Sequence, residues 1–234
     1  MGNKKVFSLI IITGILLLLS LLPQSPFYDM NWALFSFIMI GLFLIFFFWR
    51  FEKSPVSSKE VALIATMAAL ASVSRIPFSA VVSLQPVTFL VMLSGYVFGA
   101  RTGFMVGALT ALVSNFFLGQ GPWTPWQMFC WGLCGAVTSF FGRKNRDFHL
   151  FSFTLLGVAW GFLFGWIMNF WHWVAFIYPL NWRTFLGTYA ASLPFDVIHA
   201  VGNVIFTLVF GKSFYHILIR FRKRIIVTAA KTKN

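Results

Sequence analysis

Gly119-Gln120-Gly121-Pro122-Trp123-Thr124-Pro125-Trp126-Gln127 is an uncharged stretch set between two long apolar runs. Pro122 and Pro125 each remove a backbone donor and hold φ at about −65°, so the stretch cannot be a helix interior. Gly119 and Gly121 permit the tight backbone of a short connection. The runs on either side, 103–118 and 126–141, show no period-two alternation and read as membrane helices. The stretch between them is then a stiff, indole-bearing loop at a membrane surface. Two roles are open to it. Trp collects at headgroup level in membrane proteins, which makes the loop an interfacial anchor. Two prolines and two glutamines exceed what anchoring needs and favour a rigid polar-aromatic lid over a binding site.

The rest of the chain fits this setting. It is 59% hydrophobic and 20% aromatic, with 10% charged residues. A soluble domain would carry about 25% charge. Lipid demands that every backbone group be satisfied internally, and runs without alternation choose helices over a barrel. The fold class is an all-α integral membrane protein.

Eight spans are expected: 6–22, 31–49, 61–76, 86–98, 103–118, 126–141, 149–178 and 184–211. Lys4 and Lys5 before the first run mimic a signal peptide, but Pro23-Gln24-Ser25-Pro26 follows instead of a small-residue cleavage site, so the run reads as a retained span. With both termini inside, all of the 18 Lys and Arg except Arg75 and Arg183 fall on the cytoplasmic side. The net charge of +13 therefore marks topology rather than a nucleic-acid partner. The same arrangement brings the loops 78–85, 119–124 and 179–183 to one extracellular face.

The charged linker 50–59 is the best internal boundary. Residues 1–58 read as an accessory two-helix hairpin with that linker. Residues 59–219 read as a six-span working module and 220–234 as a basic cytoplasmic tail. On span three, Ala62, Ala65, Ala69 and Ser72 recur at spacings of three and four, a small-residue face suited to close helix approach. Gly157, Gly161 and Gly165, and likewise Gly103, Gly107 and Ala111, carry the same meaning. Cys130 and Cys134 read as small buried hydrophobes.

Asp196, His199 and Asn203 share one face of span eight, and an acid within a membrane span is by default a functional-site hypothesis. The alternative is an interhelical clamp in which Asp196 pairs with Arg75 or Arg183. No metal-ligand motif is present. Gly211-Lys212-Ser213 lacks the glycine and strand that a phosphate-binding loop requires, so no ATPase of the chain's own is expected. The candidate binding residues are Gln85, Asn115, Gln120, Trp123, Trp126 and Gln127, with Asn169, Trp173, Asp196 and His199 opposite them.

From Glu60 onward the chain resembles the substrate-binding S components of energy-coupling factor (ECF) vitamin transporters. The likeness rests on six spans, on Ala65 and Ala69 in the first of them, and on the three extracellular loops. The 119–127 stretch, with Pro86-Val87-Thr88 before it, looks most like the cobalamin-type S components. The resemblance implies a multi-pass protein of the bacterial cytoplasmic membrane that captures a vitamin, here cobalamin or a related corrinoid. It implies delivery inward with a transmembrane coupling protein and two cytosolic ATPases, with Ala65 and Ala69 on the docking surface. No cofactor and no catalytic residue are implied. The N-terminal hairpin departs from the six-span pattern. Other readings are an S component for a different vitamin, an ion-coupled secondary transporter using Asp196 and Arg75, and an intramembrane enzyme built on Asp196 and His199.

Overall fold

The structure is a computed structural model. It describes residues 31–142 and 148–231, with side chains as far as residue 224. The first expected span and the charged turn 143–147 lie outside the described residues.

Seven α-helices are described: α1 Trp32–Glu52, α2 Ser58–Arg75, α3 Val87–Phe98, α4 Ala100–Leu118, α5 Thr124–Thr138, α6 Leu150–Phe176 and α7 Trp182–Lys231. A 3₁₀ turn, Ser139–Phe141, extends α5. By length and composition α1, α4, α6 and α7 can each cross a membrane, and α3 is a shorter apolar helix.

Local chemistry sets the boundaries. Asn31 caps α1 by accepting from the Leu34 amide at 2.9 Å. Ser57 caps α2 by accepting from the Glu60 amide at 3.2 Å. Gly99 sits at φ 98° and turns α3 into α4 within one residue, a conformation that a side chain would strain. Gly119, at φ 109°, ends α4 in the same manner.

Two boundaries differ from the sequence reading. The proline-bearing stretch is shorter as a loop than expected, because α5 already begins at Thr124. Pro125 occupies the first turn, where the missing N–H has no helical acceptor to lose. The last span does not stop at 211. It runs unbroken from Trp182 to Lys231, 50 residues, through Pro194 and on into the basic tail. Gly211-Lys212-Ser213 is therefore mid-helix.

α3 is the axis of the bundle. Every residue from Val87 to Val97 is buried, because α2, α4, α5, α6 and α7 all touch it. Such burial explains why its sequence is apolar on all sides. Around it, α4 packs on α5 and α6 packs on α7. In the first seam glycine faces glycine: a Cβ on Gly135 would overlap the Gly103 backbone, and one on Gly107 would overlap the Trp131 carbonyl. In the second, Gly157, Gly161 and Gly165 face Asn203, Ala200 and Asp196 in turn. Both glycine patterns thus serve close helix packing, as their spacing indicates. Cys130 and Cys134 are fully buried and unbonded.

α1 lies outside this bundle, against α5 and α6. Phe47 meets Phe104 at 3.6 Å between ring centroids and Phe43 meets Phe129 at 5.2 Å. Trp32, at the start of α1, is buried with Trp173 and Val174.

Candidate functional site

Arg75, the last residue of α2, organises the site. Its Nε donates to Gln85 Oε1 at 2.6 Å, and its Nη1 donates to Ser114 Oγ and Asn115 Oδ1, each at 2.8 Å. The guanidinium also lies over the Trp131 ring, 5.1 Å from the centroid. All of these partners are neutral, so the positive charge is solvated by dipoles and a π face without being cancelled. Nη2 has no hydrogen bond to any described residue.

The cation fixes the direction of every amide around it. A guanidinium only donates, so Gln85 and Asn115 must turn their oxygens toward it. The Asn115 amide nitrogen then faces outward and donates to Thr124 Oγ1 at 2.9 Å and Gln127 Oε1 at 2.8 Å. Thr124, having accepted, donates to Gln120 Oε1 at 2.9 Å, and Gln120 Nε2 finishes on the Leu112 carbonyl at 2.9 Å. All four candidate amides, 85, 115, 120 and 127, therefore belong to one directed network with their carbonyl oxygens used inside it. The first turn of α5 and the outer end of α4 are locked to α2 by this chain.

Beneath it runs a second chain. The Trp131 indole donates to Thr88 Oγ1 at 3.1 Å, and Thr88 Oγ1 meets His199 Nε2 at 2.7 Å. Thr88 Oγ1 and His199 Nε2 share one hydrogen, given by the hydroxyl or by the ring according to the His199 tautomer. Phe164 stacks on Trp131 at 4.8 Å and meets the edge of His199 at 5.2 Å. Arg75 and Phe164 together leave Trp131 2% exposed. His199 is thereby joined to the Arg75 network across α3, α5 and α7.

A third cluster holds Asp196 and Asn169. The Ser192 hydroxyl hydrogen is shared between the Tyr189 carbonyl at 3.1 Å and Asp196 Oδ2 at 3.3 Å, and Asn169 Nδ2 bonds to the Ser192 hydroxyl. Asp196 is 5% exposed, pressed against Gly165. It forms no ion pair with Arg75 or Arg183, so the clamp considered for it is not the arrangement found. Among the described residues the one salt bridge, Arg101–Glu60 at 3.0 Å, joins the opposite ends of α4 and α2. Asn203 shares the buried face of Asp196 and His199 but serves packing, donating to the Gly157 carbonyl at 2.9 Å. Its Oδ1 and the Thr207 hydroxyl are buried without partners.

The three tryptophans separate. Trp126 is buried on the first turn of α5 beside Phe170, and its Nε1 has no partner. Trp123 is 36% exposed and lies across Gly121 of its own loop, so the two indoles do not form one lid. Trp173 sits in the outer cluster with Trp32, spends its Nε1 on Thr184 Oγ1 at 3.0 Å, and reaches the site only through Phe170.

Sequence reasoning did not select Ser114, Trp131, Phe164 or Ser192, whose types are ordinary in helix interiors, and took Thr88 and Thr124 only as parts of longer stretches. Arg75 left a signal, since it is one of two basic residues that break the charge pattern. On α2, Ala62, Ala65 and Ala69 are exposed on one face, while Ser72 turns inward and donates to the Ala68 carbonyl at 2.7 Å, with the Thr110 carbonyl at 3.3 Å.

Residues 55–216 match the family model described as ECF-type riboflavin transporter, S component. The match covers more than half of the chain, which therefore belongs to that family. No curated protein and no solved structure gives a match. Membership makes the chain a multi-pass membrane protein and a substrate-binding subunit that works with a vitamin ligand and the ECF module.

Proposed function

We propose that this S component captures riboflavin, or a flavin closely like it, between the Arg75 network and the α6–α7 pair, and passes it inward with a transmembrane coupling protein and ATPases. The family's name carries the choice of vitamin. The site is compatible with a flat, uncharged, acceptor-bearing ring: Trp131 of α5, with Phe164 of α6 stacked on it, lies against a cation that no carboxylate neutralises. The corrinoid expected from the 119–127 stretch has less support. That reading relied on Gln120 and Gln127 amides to pair with a corrin fringe, and both carbonyl ends, with the Gln120 nitrogen as well, are spent within the protein. Titrating the purified chain with riboflavin and with cobalamin, following flavin fluorescence and calorimetric heat, decides between them. Saturable riboflavin binding is expected; heat from cobalamin alone reverses the choice.

Docking is assigned to the exposed face of Ala62, Ala65 and Ala69. Beside it runs a mainly apolar groove lined by Ala62, Leu63, Thr66 and Met67 of α2 and by Leu218 and Phe221 of α7, together with the basic Lys59 and Arg224. A partner helix can approach such a face closely because little side chain intervenes. Ala65→Leu and Ala69→Leu are expected to abolish uptake in cells while leaving binding by the isolated subunit unchanged. Normal transport in both variants moves the docking surface elsewhere.

A further inference from the structure

The Arg75 network leaves the site chemically one-sided. Because the guanidinium and the amide behind it draw the neighbouring oxygens inward, each side-chain carbonyl of this wall already accepts a hydrogen bond. Among the described residues, what remains without a partner is a set of donors: Arg75 Nη2, Gln85 Nε2, Gln127 Nε2 and Trp126 Nε1. The Trp126 donor is the sharpest of them, since the side chain is 5% exposed and a buried N–H without an acceptor is destabilising. On α7 the polarity reverses. Asp196 is a carboxylate that receives one hydrogen bond, from Ser192, and otherwise lies against Gly165 with no cation near it. His199 and Phe164 stand between the two regions.

We infer that the wall formed by Arg75, Gln85, Trp126 and Gln127 reads hydrogen-bond acceptors on the ligand, and that Asp196 reads hydroxyl donors, so that the ligand enters in one orientation. This rests on the flavin reading above. In riboflavin the ring acceptors, the two carbonyl oxygens with N1 and N5, are concentrated on one edge, around a single N3–H donor. The hydroxyl donors are concentrated on the ribityl chain. The ring edge therefore lies toward α2 and α5, and the ribityl chain lies toward α7. The same logic selects against ligands whose ring edge is donor-rich, because their N–H groups would meet N–H groups.

A ligand-by-variant cycle tests the assignment on the purified full-length chain. Riboflavin is compared with lumiflavin, which keeps the ring system and has a methyl group in place of the ribityl chain. Arg75→Gln is expected to weaken both ligands by a similar factor, tenfold or more. Trp126→Phe, which removes the N–H and keeps a ring, is expected to weaken both by roughly threefold to tenfold, the range of one neutral hydrogen bond. Asp196→Asn is expected to weaken riboflavin by about tenfold and to leave lumiflavin unchanged. Affinities come from the midpoint of fluorescence quenching, so a fraction of misfolded protein lowers amplitude without moving the result. Riboflavin binding in which Asp196→Asn affects both ligands alike, or Arg75→Gln affects only riboflavin, overturns the orientation and leaves the flavin reading standing. A wild-type chain that binds neither flavin overturns both.

Discussion

The bundle contains two tight helix pairs built from similar glycine spacings, and they do opposite things. Between α4 and α5, glycine meets backbone: Gly103 faces Gly135 and Gly107 faces the Trp131–Gly132 peptide, with Gly95 of α3 also against Gly135. Between α6 and α7, Gly157, Gly161 and Gly165 of α6 face no glycine; α7 fills the space opposite them with Asn203, Ala200 and Asp196. The first seam is closed to everything, so it fixes the frame that holds the Arg75 network at its outer end. The second uses the absence of a side chain to accommodate a polar one. Spacing alone does not separate these uses; what stands opposite does.

Placing a methyl group in each seam sharpens the contrast. Gly135→Ala puts a Cβ into the backbone of Gly103, and neither helix has a side chain to move aside. We expect a loss of about 3 kcal/mol, the upper part of the overpacking range, read as a shifted denaturation midpoint of the detergent-solubilised protein. Gly165→Ala meets the end of the Asp196 side chain, which can rotate away. The helix-propensity gain of Ala over Gly, up to about 1 kcal/mol, offsets much of that cost. Stability is expected to change by less than about 1 kcal/mol while riboflavin affinity falls several-fold, because the carboxylate has moved. If both variants lose stability equally, the two seams are equivalent and the contrast fails. The smallest effect concerns the lower part of the second seam. Thr207→Val replaces a buried hydroxyl that has no partner with a methyl of similar size, and is expected to be neutral or to stabilise by about 0.5–1 kcal/mol. Destabilisation by more than that would mean that the hydroxyl has an acceptor in the membrane.

Much of this was legible in the sequence, for reasons that can be named. Apolar runs and scarce charge give membrane helices, and glycine or alanine at spacings of three and four gives close faces, because both follow from helix geometry alone. Gln85, Asn115, Gln120 and Gln127 were legible as a group because amides near span ends are unusual. Arg75 was not assigned to them, because its charge was set against Asp196, an acid within a span, rather than against neutral amides. The link from Thr88 to His199 spans 111 positions and joins residue types that single helices carry routinely. The start of α5 at Thr124 was hidden by Pro125, since proline excludes a helix interior but is at home in a first turn. The extent of α7 was hidden by its basic residues, which mark where the apolar span ends and say nothing about where the helix ends.

That helix has a mechanical consequence. Asp196 and Arg224 belong to one continuous α-helix, and residues 195–231 contain no proline. At 1.5 Å of rise per residue the two lie about 42 Å apart along the axis. A rotation of about 10° at the Asp196 end, pivoting there, sweeps the Arg224 end through roughly 7 Å by the same geometry. Proline 194, which weakens the ladder just above Asp196, supplies a natural fulcrum. The proposed binding region thus stands at one end of a rigid arm whose other end flanks the groove beside Ala62, so that a tilt at the first becomes displacement at the second.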